Sequence, residues 1–520
     1  MKNRKSGLKV DDTIAMIMNT KNCSPRSYAL AGGLCLAFST SPLLCAESEN
    51  NEKNQRATNK SVEENLQSVE KKGSVTIDGK KIDYKVTTSR LVIKKDDGTP
   101  RASIFNVAYT REDIDDLNQR PVLFAFNGGP GSSAVWLHLG ALGPKIVPTS
   151  SDGTKPLAPP IRVRDNPQSI LDVADLVFID PVSTGYSRTE NKKENFHGLD
   201  QDIKSVGDFI RRWVTENKRW GSPKYLLGES YGGVRAAGLS MELQNRYGMS
   251  LNGVVLLSSL MDFRTLRPSI GNDLSYIAYL PAMTAVAHYH GKVKGDRNTL
   301  VKNSQKFASG AYATALLKGY ALSQLERENI AKQLSAFTGL SASLILQYDL
   351  RINSSRFRKE LLRDQGIVIG RFDARVAWPV QEKASDTPYY DPSFSVAKGA
   401  FSTAMLGYLG GGLGWVDEKP YEIIANVHPW DWGKKNDIVN TSSRLAVAMR
   451  DNPHLRVLVQ CGHTDLATPP GGILHSIDHM KIPQPQRKNI TIKWYDAGHM
   501  FYLNEPDLKK MRRDLVEFID

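Results

Sequence analysis

A chain of 520 residues, 40 % hydrophobic and 24 % charged, is long enough for one large domain with insertions or for two or three ordinary ones, and so for a buried core with a cleft. The composition excludes collagen-like, coiled-coil and low-complexity classes, and no repeat occurs at solenoid or propeller spacing. The formal net charge of +13 is dispersed rather than gathered into a basic stripe interleaved with aromatics, which argues for solubilising charge and against a nucleic-acid partner.

Residues 1–46 read as a signal peptide. A basic stretch holding Lys21 and Arg26 leads into the apolar run "YALAGGLCLAF" and the small-residue site "LLCAES", with the cut after Ala46. A start at Met18 gives a signal of ordinary length. The alternative is an uncleaved N-terminal anchor, although the apolar run is shorter than the ~20 residues that span a bilayer. The segment carries six Lys/Arg and two Asp, so its removal lowers the net charge from +13 to +9. It also carries Cys23, Cys35 and Cys45, leaving Cys461 as the one thiol of the mature chain. An exported protein of this size without intramolecular disulfides fits a bacterial periplasm, or secretion from such a cell, better than a eukaryotic secretory route.

Residues 47–72 are polar and nearly devoid of large apolar side chains, the composition of a disordered linker, with order expected from about Gly73. From there "SVTIDGKKIDYKVTTSRLVIK" alternates apolar and polar residues around Asp78-Gly79, which predicts antiparallel strands. The runs "PVLFAF", "ADLVFIDP", "KYLLGES" and "GVVLLSS" do not alternate, as suits strands buried on both faces. Helix-like segments such as "LDQDIKSVGDFIRRWVTEN" lie between them. The expectation is an α/β fold with a mostly parallel sheet covered by helices. Residues 73–260 form its first part. Residues 261–400, rich in helix-like patterns and without a buried strand run, form an inserted helical cap. Residues 401–520, with "LRVLVQ" and "ITIKWY", complete the core.

Within "YLLGESYGG", Gly228 to Gly232 fit G-x-S-x-G, with an apolar strand before and a helix-compatible segment after. Ser230 is then either a nucleophile on a strained strand-to-helix elbow or a small residue at a tight turn. A serine hydroxyl needs a base and an orienting carboxylate. Asp465 after "LRVLVQ" and His499 after "ITIKWY" stand at expected carboxyl ends of strands, in the order Ser, Asp, His. Each alone also reads blandly, as a turn-forming Asp or a surface His. His475 and His479 are four apart, but "HSIDH" lacks the Glu of a zinc helix, so no metal is expected. The oxyanion needs amide donors. Tyr231 supplies one, and the glycine-rich "FNGGPGSS" is a candidate for the other or a mere turn.

Together "NGGPGSS", "GESYGG", "GHTDLATP" and "AGHMFY" resemble the serine carboxypeptidase family, the S10 peptidases, from about Pro121 to the C-terminus; "WLHLGALGP" and "DLVFIDPVSTGYSR" fall inside that span. The resemblance implies the α/β-hydrolase fold with Ser230, Asp465 and His499 as triad. It also implies an oxyanion hole from the amides of Gly129 and Tyr231, and a site for the substrate's terminal carboxylate at Asn127 and Glu229. Two carboxylates in a poorly solvated site must share a proton, so binding is expected to favour acidic pH. His499 has to be neutral to act as base, an opposing demand. The family often has an Asp where this chain has His463, and the eukaryotic disulfides cannot form here. The expected activity is an exported serine carboxypeptidase acting on peptide or protein C-termini through an acyl-enzyme, with no cofactor. Alternatives are an esterase or acyltransferase on the same scaffold, or a binding protein with a relic site.

Overall fold

The computed structural model describes residues 68–191, 193–434 and 437–520. The expected signal peptide and linker residues 47–67 lie outside them.

Strands β1 (Ser68–Ile77), β2 (Lys80–Lys94) and β3 (Pro100–Arg111) form an antiparallel meander. Its first turn places both Asp78 and Gly79 at positive φ, as a two-residue hairpin turn requires. Ser68–Lys72, expected in the linker, belong to β1 and pair with Lys85–Ser89 of β2, gaining main-chain partners that composition does not reveal. After the meander come β4 (Val122–Phe126), the small ribbon β5 (Lys145–Ile146) with β6 (Arg164–Asp165), β7 (Asp175–Ile179) and β8 (Arg188–Thr189). β9 (Lys224–Glu229) and β10 (Gly253–Leu257) follow. Next are the ribbon β11 (Ile367–Ile369) and β12 (Ala377–Pro379), then β13 (Arg456–Gly462) and β14 (Ile490–Tyr495).

The main sheet runs β1-β2-β3-β7-β4-β9-β10-β13-β14, with β8 on β3. From β7 to β14 every neighbouring pair is parallel. β4, β7, β9 and β10 are buried along their whole length, which is why their sequences do not alternate. Successive side chains still serve opposite faces. Leu123, Leu227 and Val255 join one core, in which Met511 and Leu515 of the closing helix Glu505–Ile519 take part. Phe124, Leu226 and Val254 join the other, with Phe209 of the helix Leu199–Glu216 and Leu239 of the helix Tyr231–Tyr247. A mostly parallel sheet with helices on both faces and this strand order is the α/β-hydrolase fold.

Between β10 and β13 the chain is mainly helical and has a third core around Tyr279, Met283, Leu334 and Phe357. The ribbon β11–β12 in this stretch was not expected from sequence. Three-residue strands are too short to imprint a period, and "IVI" acquires its partner from across a turn. Among the described residues, no helix is long and apolar enough to cross a membrane.

Candidate active site

The elbow is built by steric necessity. β9 ends at Glu229, and Ser230 adopts φ 62° and ψ −127° before the helix Tyr231–Tyr247 begins. A non-glycine residue at positive φ stores strain that the surroundings must impose. The imposing contacts are backbone on backbone: a Cβ on Gly228 would meet the Gly232 carbonyl oxygen at 2.1 Å, and one on Gly232 would meet that of Phe126 at 2.8 Å. Both glycines of the motif are therefore required by the turn. The serine side chain is half-buried and forms no hydrogen bond among the described residues.

The loop after β4 closes over the elbow. A Cβ on Gly128 would lie 2.4 Å from the Tyr231 amide nitrogen, so loop and elbow backbones are in direct contact. Gly129 follows at φ 104°. Tyr231 is the first residue of its helix, where an amide has no intrahelical acceptor. Among the described residues, neither its amide nor that of Gly129 is spent on a loop hydrogen bond. Two adjacent, unspent donors beside a serine are what an oxyanion needs.

Asp465 and His499 meet at the ends of β13 and β14. His499 Nδ1 lies 2.8 Å from Asp465 Oδ2, and both residues are buried. Asp465 is itself held, since its Oδ1 accepts from the amides of Ala467 at 2.7 Å and Thr468 at 2.9 Å. Thr468 was not singled out from sequence. Its Oγ1 is 2.7 Å from the Ser258 carbonyl oxygen, 2.9 Å from Asp465 Oδ2 and 3.0 Å from His499 Nδ1. The hydroxyl has one proton, and the shortest contact places it on Ser258, leaving the oxygen to accept a share of the His499 Nδ1 proton. That tautomer leaves Nε2 free to act as a base. From the helical insert, the Phe372 carbonyl accepts the His499 amide at 2.5 Å, and the two rings are 5.1 Å apart. Burial alone would lower the His499 pKa, but the Asp465 carboxylate and then the Glu229 charge outweigh it and leave it above its ordinary value.

Asn127 and Glu229 are also brought together. Asn127 Nδ2 donates to Glu229 Oε2 at 2.7 Å, and the Tyr502 hydroxyl donates to the same oxygen at 2.9 Å. Asn127 Oδ1 accepts the Leu137 amide at 3.2 Å, which fixes the orientation of its side-chain amide. Its carbonyl accepts from Arg235, which is buried and paired with Asp202. Burial pushes the Glu229 pKa up to about 7, against the opposing effects of His499, Tyr502 and Asn127. Tyr502 was also missed by the sequence reading, although it stands inside the "AGHMFY" stretch; the position of its hydroxyl follows from the short helix Phe501–Leu503.

His463 stacks on Trp494 at 4.8 Å, and burial lowers its pKa to about 4. It is a neutral packing residue near the Asp465 loop. The rings of His475 and His479 are 3.9 Å apart, yet among the described residues no three His, Cys, Asp or Glu converge on a metal position.

The model of the serine carboxypeptidase family matches residues 98–397, more than half of the chain. Asn127, Gly129, Glu229, Ser230 and Tyr231 lie within that span, while Asp465 and His499 lie beyond it. Among curated proteins, serine carboxypeptidase-like 16 of Arabidopsis thaliana is 30 % identical over 154 residues, 28 % of this chain and 34 % of that protein. The lysosomal protective protein of Mus musculus is 25 % identical over 186 residues, 35 % of this chain and 34 % of that one. The chain thus matches about a third of the length of these relatives. Among solved structures, a prohormone-processing carboxypeptidase of Saccharomyces cerevisiae is 17 % identical at a TM-score of 0.49, covering 84 % of this chain and 91 % of that one. A proline iminopeptidase of Mycobacterium smegmatis is 14 % identical at a TM-score of 0.37, covering 83 % and 97 %.

Proposed function

Because the chain belongs to the serine carboxypeptidase family, we propose that it removes single residues from peptide C-termini through an acyl-enzyme on Ser230. The observation that carries this reading is the buried cluster of Asn127, Glu229 and Tyr502 adjoining the serine. A carboxyl group with a pKa of about 7 is neutral in mild acid and can share its proton with a carboxylate, whereas an ester without a free carboxylate has no use for it.

In this mechanism the substrate's terminal carboxylate binds Asn127 Nδ2 and the protonated Glu229. The scissile carbonyl oxygen points at the amides of Gly129 and Tyr231. His499 Nε2 takes the Ser230 proton as Oγ attacks the carbonyl carbon, and Asp465 stabilises the imidazolium. The amides hold the oxyanion of the tetrahedral intermediate. His499 then gives the proton to the leaving amine, the C–N bond breaks, and water repeats the sequence on the acyl-enzyme. An exported chain with a cleaved signal, an inserted cap over residues 261–400 and a periplasmic or secreted location completes the proposal.

The test is mass spectrometry of peptides incubated with the mature protein from pH 4 to 8, beside Ser230→Ala and a matched peptide amidated at its C-terminus. Shortening only from free C-termini, absent in the variant, is expected. Intact peptides together with a simple ester cleaved by the wild type alone would replace the peptidase reading with esterase or acyltransferase chemistry.

A further inference from the structure

An aromatic wall runs from Trp136 to the base. Trp136 adjoins Leu137, whose amide anchors Asn127. The Trp136 ring is 6.0 Å from that of Phe394, Phe394 is 5.7 Å from Phe372, and Phe372 is 5.1 Å from His499. Trp136 is buried, whereas Phe394 and Phe372 are half-exposed, so the wall has an open face.

Arg371 borders this face. Its guanidinium carbon sits 4.3 Å over the Phe372 ring, its side chain is 44 % exposed, and its guanidinium makes no hydrogen bond among the described residues. Asp391 Oδ2 lies 3.9 Å from Arg371 Nε, beyond hydrogen-bond distance, and is buried without a hydrogen-bond partner among the described residues. Asp391 Oδ1 accepts from the amides of Arg371 and Ser393 and from the Ser393 hydroxyl, and its charge is shared with buried Arg358 at 3.8 Å. A stacked, half-exposed guanidinium with unspent donors is pre-organised for a planar anion. A second cation, exposed Lys398, has its Nζ 5.8 Å from the centre of the Phe394 ring.

A substrate held by its terminal carboxylate at Asn127 and Glu229, with its scissile carbonyl at Ser230, has only its last residue spanning the two. Phe372, in ring contact with His499, sets the open face of the wall beside the base that serves that residue's scissile bond. We propose that Arg371 is a specificity-determining residue that selects peptides ending in an acidic side chain. The proposal rests on the carboxypeptidase reading of the same site.

The experiment compares kcat/KM at pH 6 for acyl-dipeptides ending in Glu, Gln and Lys, and for a second set with the same changes at the penultimate residue, using wild type, Arg371→Gln and Arg371→Glu. At that pH a glutamate side chain is charged. The expected result is a Glu-over-Gln preference on the order of tenfold in the wild type, a ratio near one in Arg371→Gln, and a preference for Lys in Arg371→Glu. Because each readout is a ratio within one protein, a loss of folded material does not affect it. Equal rates for Glu and Gln in the wild type, an unchanged ratio in Arg371→Gln, or an effect confined to the penultimate residue would overturn the proposal. If no peptide of either set is shortened by the wild type, the carboxypeptidase reading itself fails.

Discussion

Glu229 is buried next to Ser230, and that burial raises its pKa to about 7. Its carboxyl is neutral below about pH 7 and charged above it, so recognition of a carboxylate should weaken as pH rises through that value. Protonation of His499 removes the base on the acid side, and the wild-type kcat/KM profile is expected to be a bell whose limbs belong to the coupled pair. Glu229→Gln keeps a neutral donor at every pH, so the alkaline fall should vanish while the acid limb stays. A variant profile that still falls above pH 7 on free-carboxylate peptides would separate Glu229 from carboxylate recognition. The same group has a signature in stability. Its pKa lies above the unfolded value of 4.5, so its contribution is fully present below 4.5 and is lost as pH rises through about 7. Measured by urea denaturation, Glu229→Gln should gain up to about 3 kcal/mol on the wild type between pH 4 and pH 8.

At the scale of elements, the loop after β4 and the β9 elbow act as one unit. The contact between Gly128 and the Tyr231 amide is backbone against backbone, with no flexible side chain to yield. Gly128→Ala should therefore displace the loop, cost about 2–4 kcal/mol and reduce kcat by about a hundredfold or more as an oxyanion donor moves away. Denaturation and steady-state kinetics on the same preparation would check both effects, and a variant with wild-type kcat would show that the loop amide is not a donor. The strand signals were legible because β4, β7, β9 and β10 are buried on both faces and carry the unbroken apolar runs this demands. The ribbon β11–β12 and the start of β1 were not, since each depends on a partner strand rather than on its own composition.

At the scale of the whole molecule, the two edges of the sheet divide the labour. Ser230, Asp465 and His499 follow strand carboxyl ends, while the opposite edge is tied by Asp175, which is buried and accepts from Arg120 Nε at 3.1 Å and Arg219 Nη1 at 2.5 Å. Arg219 also donates to the Arg120 carbonyl and Arg120 to that of Leu171, so the cluster joins the entries to β4, β7 and β9. Asp175→Ala leaves two buried guanidinium groups without their carboxylate and should cost about 3–5 kcal/mol. Because the cluster is remote from the serine, KM and kcat per folded molecule should stay at wild-type values, and a changed KM would contradict this separation. The sequence by itself determined what local pattern can encode: the fold class, through apolar runs and their alternation with helices, and a family resemblance, through short glycine-bounded motifs whose geometry admits few other residues. It could not say which distant side chains share a hydrogen bond. The convergence of Asn127, Tyr502 and Glu229, the contact of Thr468 with Asp465 through its amide and with His499 through its hydroxyl, and the placement of Arg371 and Phe372 beside the base were decided only by tertiary structure. The Asn127–Glu229 and Tyr502–Glu229 contacts join positions 102 and 273 residues apart, and burial, which sets the Glu229 pKa, is a property of the packed molecule rather than of any stretch of chain.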